Sequence, residues 1–268
     1  MSELPKRYLT EAGRNAANQL SVFSLHLARP FFWHSGARNG SVPEGASAFI
    51  LQFEDRYIGV TADHVVAAYR EAKAADSRTI CQLGTSQIHP ESEIIARSAE
   101  LDIATFAIDP VKLQEIGANT VDCRGQWPPP PVEVGDVVTL TGFLNNHRVK
   151  KGPQHYEMIA WGGHGVADAV TDRDIVSVYE PDNVLQPDWA VKKPPLGFNL
   201  SGCSGVPVAL IKDIKGLLRW FPVGMIYKGP GDNAKGVLAG FDRIHARRLS
   251  FLQSDGSIKE PNQGWLPS

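Results

Sequence analysis

The chain has 268 residues, 43% of them hydrophobic and 21% charged, a balance that excludes a disordered or fibrous chain and supplies one large core or two smaller ones. With 27 basic against 29 acidic residues the net charge is −2, so no global positive field recruits nucleic acid or an anionic lipid surface, and neither partner is expected. Apolar runs such as Val137-Val138-Thr139-Leu140 fall far short of the roughly 18–20 residues of a membrane helix.

In chain order, an Ala-rich stretch from about 9 to 20 predicts a helix, and period-2 alternation at Ser21-Val22-Phe23-Ser24-Leu25 predicts a strand after it. Ala46 to Phe53, the turn Glu54-Asp55-Arg56 and Tyr57 to Thr61 predict a hairpin. Ala62 to Ala74 is Ala-rich without breakers and predicts a short helix, followed by strand candidates at 79–84, 90–97 and 102–108. Trp127 and the run Pro128-Pro129-Pro130-Pro131 follow; four successive residues without an amide hydrogen cannot sit in a sheet, so they separate two β-rich halves. Further strand candidates lie at 134–143, 155–161, 173–179, 206–211, 219–227 and 236–241. Gly162-Gly163-His164-Gly165 lacks the Lys-Ser/Thr of a phosphate loop and is expected to be an ordinary loop. Phe241 to Leu252 sets Ile244, Leu249 and Leu252 at roughly helical spacing and predicts a C-terminal helix.

Three cysteines, Cys81, Cys123 and Cys203, are too few and too scattered for a disulfide framework or a zinc site. The first residues lack the apolar run of a secretory leader, and Glu3 and Glu11 disfavour a transit peptide. A reducing, cytoplasmic location is expected. No histidine pairing has metal-ligand spacing, so no metal and no cofactor is implied.

Chemistry concentrates in three places. Ser201-Gly202-Cys203-Ser204-Gly205-Val206-Pro207 holds a serine between glycines just before a strand, a turn that can expose a hydroxyl and aim successive amides at one point. Thr61-Ala62-Asp63-His64 sets a histidine at a strand-to-helix junction, and Asp102-Ile103-Ala104 sets an aspartate at the head of an apolar strand. A serine hydroxyl is a weak nucleophile; it needs an imidazole to take its proton and a carboxylate to fix the imidazole's tautomer. All three groups are available.

In this order, His then Asp then Ser, the motifs resemble those of the chymotrypsin-like (trypsin-like) serine peptidase family, over about residues 45 to 250. Thr61-Ala62-Asp63-His64 is similar to its Thr-Ala-Ala-His motif, Asp102-Ile103-Ala104 to its Asp-Ile/Leu-Ala motif, and Gly202-Cys203-Ser204-Gly205-Val206-Pro207 to its Gly-Asp/Asn-Ser-Gly-Gly-Pro motif. Val134 to Phe143 and Val223 to Gly229 resemble the strands that open its second barrel and line its substrate channel. The resemblance implies an all-β fold of two six-stranded antiparallel β-barrels, with a short N-terminal extension (1–44), a first barrel (45–126) carrying His64 and Asp102, and a second barrel with the C-terminal helix (132–268) carrying Ser204.

It also implies a serine endopeptidase acting on a protein or peptide substrate through an acyl-enzyme. Ser204 would be the nucleophile, His64 the general base, Asp102 its orienter, and the Gly202 and Ser204 amides the oxyanion hole. Phe198, Tyr227, Lys228 and Gly229 match the substrate pocket, and an uncharged floor at Phe198 implies a preference for a small or medium apolar residue before the cleaved bond. Departures are Val206 in place of a second glycine, Asp63 beside the histidine as a rival carboxylate, and Cys203, a rival nucleophile, in place of an acid or amide. The alternative they raise is a catalytically inactive peptide-binding module on the same fold. The oligomeric state is left open.

Overall fold

Strand β2 (Glu44–Phe53) is buried without interruption from Ala46 to Leu51, so both of its faces are covered, unlike a barrel strand with one face in water. Two β-systems meet there. The computed structural model describes residues 11–34, 43–117, 119–151, 156–178, 200–229 and 243–260.

The first system contains β1 (Arg29–His34), β2, β3 (Arg56–Thr61), helix α2 (Asp63–Ala75), β4 (Ile80–Leu83), β5 (Ser86–Ile88), the short helix α3 (Pro90–Glu93), β6 (Ile94–Ser98), β7 (Ile103–Ile108), the short helix α4 (Leu113–Ile116) and β8 (Val121–Asp122). Its strands run in the order β5-β4-β1-β2-β3-β7-β6, antiparallel throughout, with β8 added parallel to β2. The second contains β9 (Val137–Lys150), β10 (Tyr156–Val166), β11 (Ala169–Val170), β12 (Asp174–Val178), β13 (Pro207–Ile214), β14 (Leu217–Lys228) and β15 (Arg243–Arg248), ordered β10-β9-β13-β14-β15-β12-β11. Both sheets are curled half-barrels. Register shifts at Ile94/Ala96, Met158/Ala160, Val208/Ala209 and Ile226/Lys228 supply the extra residues that let antiparallel strands bend.

Each half has its own core. Phe31, Phe49, Ile58, Tyr69 and Phe106 fill the first, and Val138, Trp161, Val206, Leu210 and Ile226 the second. Met225, Leu249 and Leu252 cross from the second half into the first core, which locks the halves together. The segment from Trp127 to Pro131 joins the halves without regular structure; the Trp127 indole packs edge-on against Phe53 and donates to the Leu252 carbonyl at 2.9 Å.

The all-β architecture is as expected, with four local corrections. The sheets carry more than six strands each, because β5, β8 and β11 add two- and three-residue pieces. The N-terminal helix α1 runs Glu11–Leu27 and absorbs the strand expected at 21–25; Ser21, Ser24 and Leu27 form its buried stripe, so small polar residues occupy two of the positions where an apolar pattern would reveal a helix. The segment 243–252 is β15 followed by a 3-10 turn, Leu249–Phe251, and not a C-terminal helix. Gly162-Gly163-His164-Gly165 lies inside β10, where the missing side chain at Gly162 leaves room for Thr141; an added Cβ would stand 2.7 Å from its hydroxyl.

The strand expected at 236–241 lies outside the described residues. Among those described, no helix is long and apolar enough to cross a membrane. All three cysteines are free and buried.

Candidate active site

A helix start leaves amide hydrogens without partners, and here the residue before α2 is Ala62, which has no side-chain oxygen to offer them. Asp102 takes that role from 38 residues downstream. Its Oδ1 accepts the backbone N–H of His64 at 2.9 Å, while its Oδ2 lies 2.8 Å from His64 Nδ1. An ionised carboxylate can only accept, so Nδ1 carries the ring proton and Nε2 is left as the acceptor. The carboxylate also sits at the positive end of the helix dipole. One group thus fixes both the ring's tautomer and its orientation.

Asp102 occupies the turn before β7 with φ of 53°, a left-handed conformation that aspartate tolerates better than most residues. Ser98 Oγ, which accepts the Leu101 amide at 3.1 Å, closes the same turn. The rival carboxylate is engaged elsewhere: Asp63, 5% exposed, receives both prongs of the Arg97 guanidinium at 2.6 and 3.0 Å. Asp63 and His64 are adjacent, yet their side chains serve different partners.

The serine turn is built from backbone. Gly202 and Gly205 adopt φ of 99° and 89°, values that a side chain disfavours. The Cys203 amide donates to the Leu200 carbonyl at 3.0 Å and the Gly205 amide to the Ile226 carbonyl at 2.7 Å. The alternate amides, those of Gly202 and Ser204, donate to no carbonyl of the described residues. They are the two expected to face an oxyanion.

Ser47 on β2 clamps this turn, its amide donating to the Ser204 carbonyl at 2.8 Å and its hydroxyl to the Gly202 carbonyl at 2.9 Å. Thr61 Oγ1 in turn donates to the Ser47 carbonyl at 2.8 Å. A Cβ added to Gly205 would come within 1.7 Å of the Ser47 carbonyl oxygen and 2.6 Å of Thr61 Oγ1. The glycine therefore lets the serine turn dock directly on the end of β3, three residues before His64. Ser204 is partly exposed and His64 exposed, and the two side chains make no hydrogen bond with each other in this structure.

Both departures in the serine motif have a physical account. Val206 is fully buried, and its extra volume is matched by Gly142 on β9: a Cβ there would stand 2.0 Å from Val206 Cγ2. Cys203 is 1% exposed, and burial pushes its thiol up to about 12, which removes the thiolate that a cysteine nucleophile needs.

Of the expected pocket residues, Phe198 lies outside the described residues. Tyr227 turns its hydroxyl to Asp174 Oδ2 at 3.2 Å, Lys228 is exposed, and Gly229 lies against Leu200, 3.2 Å from its Cβ to an added Cβ. Unforeseen in the sequence are Ser47, Gly142, Arg97 and the buried Arg247, whose Nε donates to the Leu101 carbonyl at 2.7 Å.

No described protein family and no curated protein matches the sequence. Similar solved structures include the serine protease domain of the Sesbania mosaic virus polyprotein, 15% identical with a TM-score of 0.43 over 84% of this chain and 89% of that one. Another comes from work on the coupled folding and binding of the intrinsically disordered VPg protein of Sesbania mosaic virus, 14% identical with a TM-score of 0.44 over 86% of this chain and 92% of that one.

Proposed function

We propose that the chain is a serine endopeptidase. The observation that supports this most is the Asp102 carboxylate holding His64 through both its amide and its Nδ1, beside a serine turn whose alternate amides donate to no carbonyl of the described residues.

In this reading a peptide carbonyl enters between Ser204 and His64. Nε2 of His64 takes the Ser204 proton as Oγ attacks the carbonyl carbon, and the resulting oxyanion accepts the amides of Gly202 and Ser204. His64 then gives the proton to the leaving amine, which releases the first product and leaves an ester on Ser204. Water attacks the ester by the same route in reverse. Asp102 stays ionised throughout, holding the ring and balancing the transient imidazolium. The residue before the cleaved bond is uncharged and small or medium in size, because Phe198, which matches the family's pocket-floor position in sequence, carries no charge, and Tyr227, Lys228 and Gly229 match its wall.

Peptide-library hydrolysis by the full chain tests the reading. Turnover that disappears in Ser204→Ala and persists in Cys203→Ala is expected, with apolar residues selected before the cleaved bond. Turnover that survives Ser204→Ala would overturn the serine assignment, and selection for Lys or Arg would overturn the pocket.

A further inference from the structure

A buried guanidinium is costly unless each of its faces and donors is engaged, so a chain that keeps one has a constellation built around it. Arg247 on β15 is such a residue, with its side chain 7% exposed. Its Nε donates to the Leu101 carbonyl at 2.7 Å and its Nη1 lies 2.9 Å from Asp174 Oδ1. Its guanidinium carbon stands 4.5 Å from the centre of the Tyr227 ring, and the Tyr227 hydroxyl returns to the other oxygen of Asp174 at 3.2 Å. Arginine, tyrosine and aspartate thus close a triangle, all three from the second barrel. From it, the Arg247 Nε bond to Leu101 reaches the first barrel.

The landing point of that bond matters. The Leu101 carbonyl belongs to the same rigid peptide plane as the amide nitrogen of Asp102, and Asp102 is held at φ of 53°. Anchoring that carbonyl fixes the plane from which the Asp102 side chain departs. Resting on the peptidase reading above, we propose that Arg247, braced by Asp174 and Tyr227, is a positioning residue for Asp102, and that the second barrel sets the orientation of the His64 ring through it.

Lysine cannot reproduce this arrangement. Its single ammonium has no rigid fork to serve the carbonyl and the carboxylate in two fixed directions. The neighbouring Arg173 to Glu100 ion pair, at 2.7 Å, also spans the halves, but both side chains are well exposed, and such pairs contribute little.

The test uses the full-length chain and three variants, Arg247→Lys, Arg247→Gln and Asp174→Asn, each checked for folding by near-ultraviolet circular dichroism. Peptide hydrolysis gives kcat and KM separately, and proton NMR follows the far-downfield resonance of His64 Nδ1–H. A misplaced orienter lowers kcat about 10- to 100-fold while KM moves by less than about twofold, and the resonance is lost; Asp174→Asn gives a smaller loss of the same kind. A folded Arg247 variant with wild-type kcat and an unchanged resonance would overturn the proposal. If the Arg247 variants do not fold, Asp174→Asn decides in the same way. If the wild-type chain hydrolyses nothing, the peptidase reading has failed, and the resonance alone still decides whether Arg247 orients the His64 to Asp102 pair.

Discussion

The two halves of the candidate site are held by different forces. On the first barrel, His64 and Asp102 are joined by side-chain hydrogen bonds at a helix terminus, where charge and the helix dipole act together. On the second, Ser204 is displayed by a turn of uncharged groups, held by glycine conformations and by the clamp from the Ser47 amide and hydroxyl. The first half is therefore sensitive to charge and tautomer, and the second to volume and backbone angle. A change that removes one atom's charge should damage the first half without unfolding it; a change that adds one methyl should damage the second by moving it.

The largest expected effect tests the charge side. Asp102→Asn keeps size and loses the obligate acceptor, so the imidazole takes the wrong tautomer and kcat falls by about 10⁴ with the fold intact, the drop characteristic of such triads. Asp63→Asn, one residue from His64, should leave kcat within a few-fold and lower Tm instead, because it weakens only the Arg97 pair. Reversed outcomes in kinetics and thermal melting would assign the orienting role to Asp63.

Next comes the volume side. Gly205→Ala places a methyl where 1.7 Å separates it from the Ser47 carbonyl oxygen, at φ of 89°. Turnover should vanish together with about 3 kcal/mol or more of stability in urea unfolding. Equal stability and activity in this variant would show that the serine turn does not dock on Ser47 and Thr61.

Gly142→Ala is milder, since the three nearest atoms to an added Cβ belong to the Val206 side chain and not to backbone, and should cost about 1–3 kcal/mol. Val206→Ala in the same chain should return most of that loss. A double variant no better than the single one would break the pairing of Gly142 with Val206. The smallest effect belongs to Cys203: with its thiol buried and raised to about 12, iodoacetamide at pH 8 should leave the native chain unmodified at this position and alkylate it after unfolding. Rapid labelling of the native chain would reopen Cys203 as nucleophile.

Much of this division was legible in the sequence, because the candidate catalytic residues sit in short local motifs. His64, Asp102 and the glycine-flanked Ser204 were each identifiable from neighbours within a few positions. Their supports were not. Gly142 answers Val206 from 64 residues away, and Arg247 meets Leu101 across 146 residues, so neither leaves a local pattern.

Two segments misled for a related reason. Ser21 and Ser24 bury a polar helix face against the second barrel, where His164 bonds Ser21 and the Trp220 indole donates to Ser24, so the hydrophobic period that marks a helix is missing. At 243–252 the buried Ile244 and Ala246 alternate as a strand requires, while the three-residue step from Leu249 to Leu252 belongs to a single turn. A step of three mimics helical spacing when alanine is discounted.

The central claim, that the two halves meet to activate Ser204, is tested most directly by intact-mass analysis after fluorophosphonate treatment of the native chain. The account predicts a single adduct, mapped to Ser204, that forms far more slowly in His64→Ala and Asp102→Asn and not at all in the unfolded chain. No adduct, or one on Ser204 whose rate ignores both substitutions, would contradict it and leave the inactive peptide-binding module as the better description.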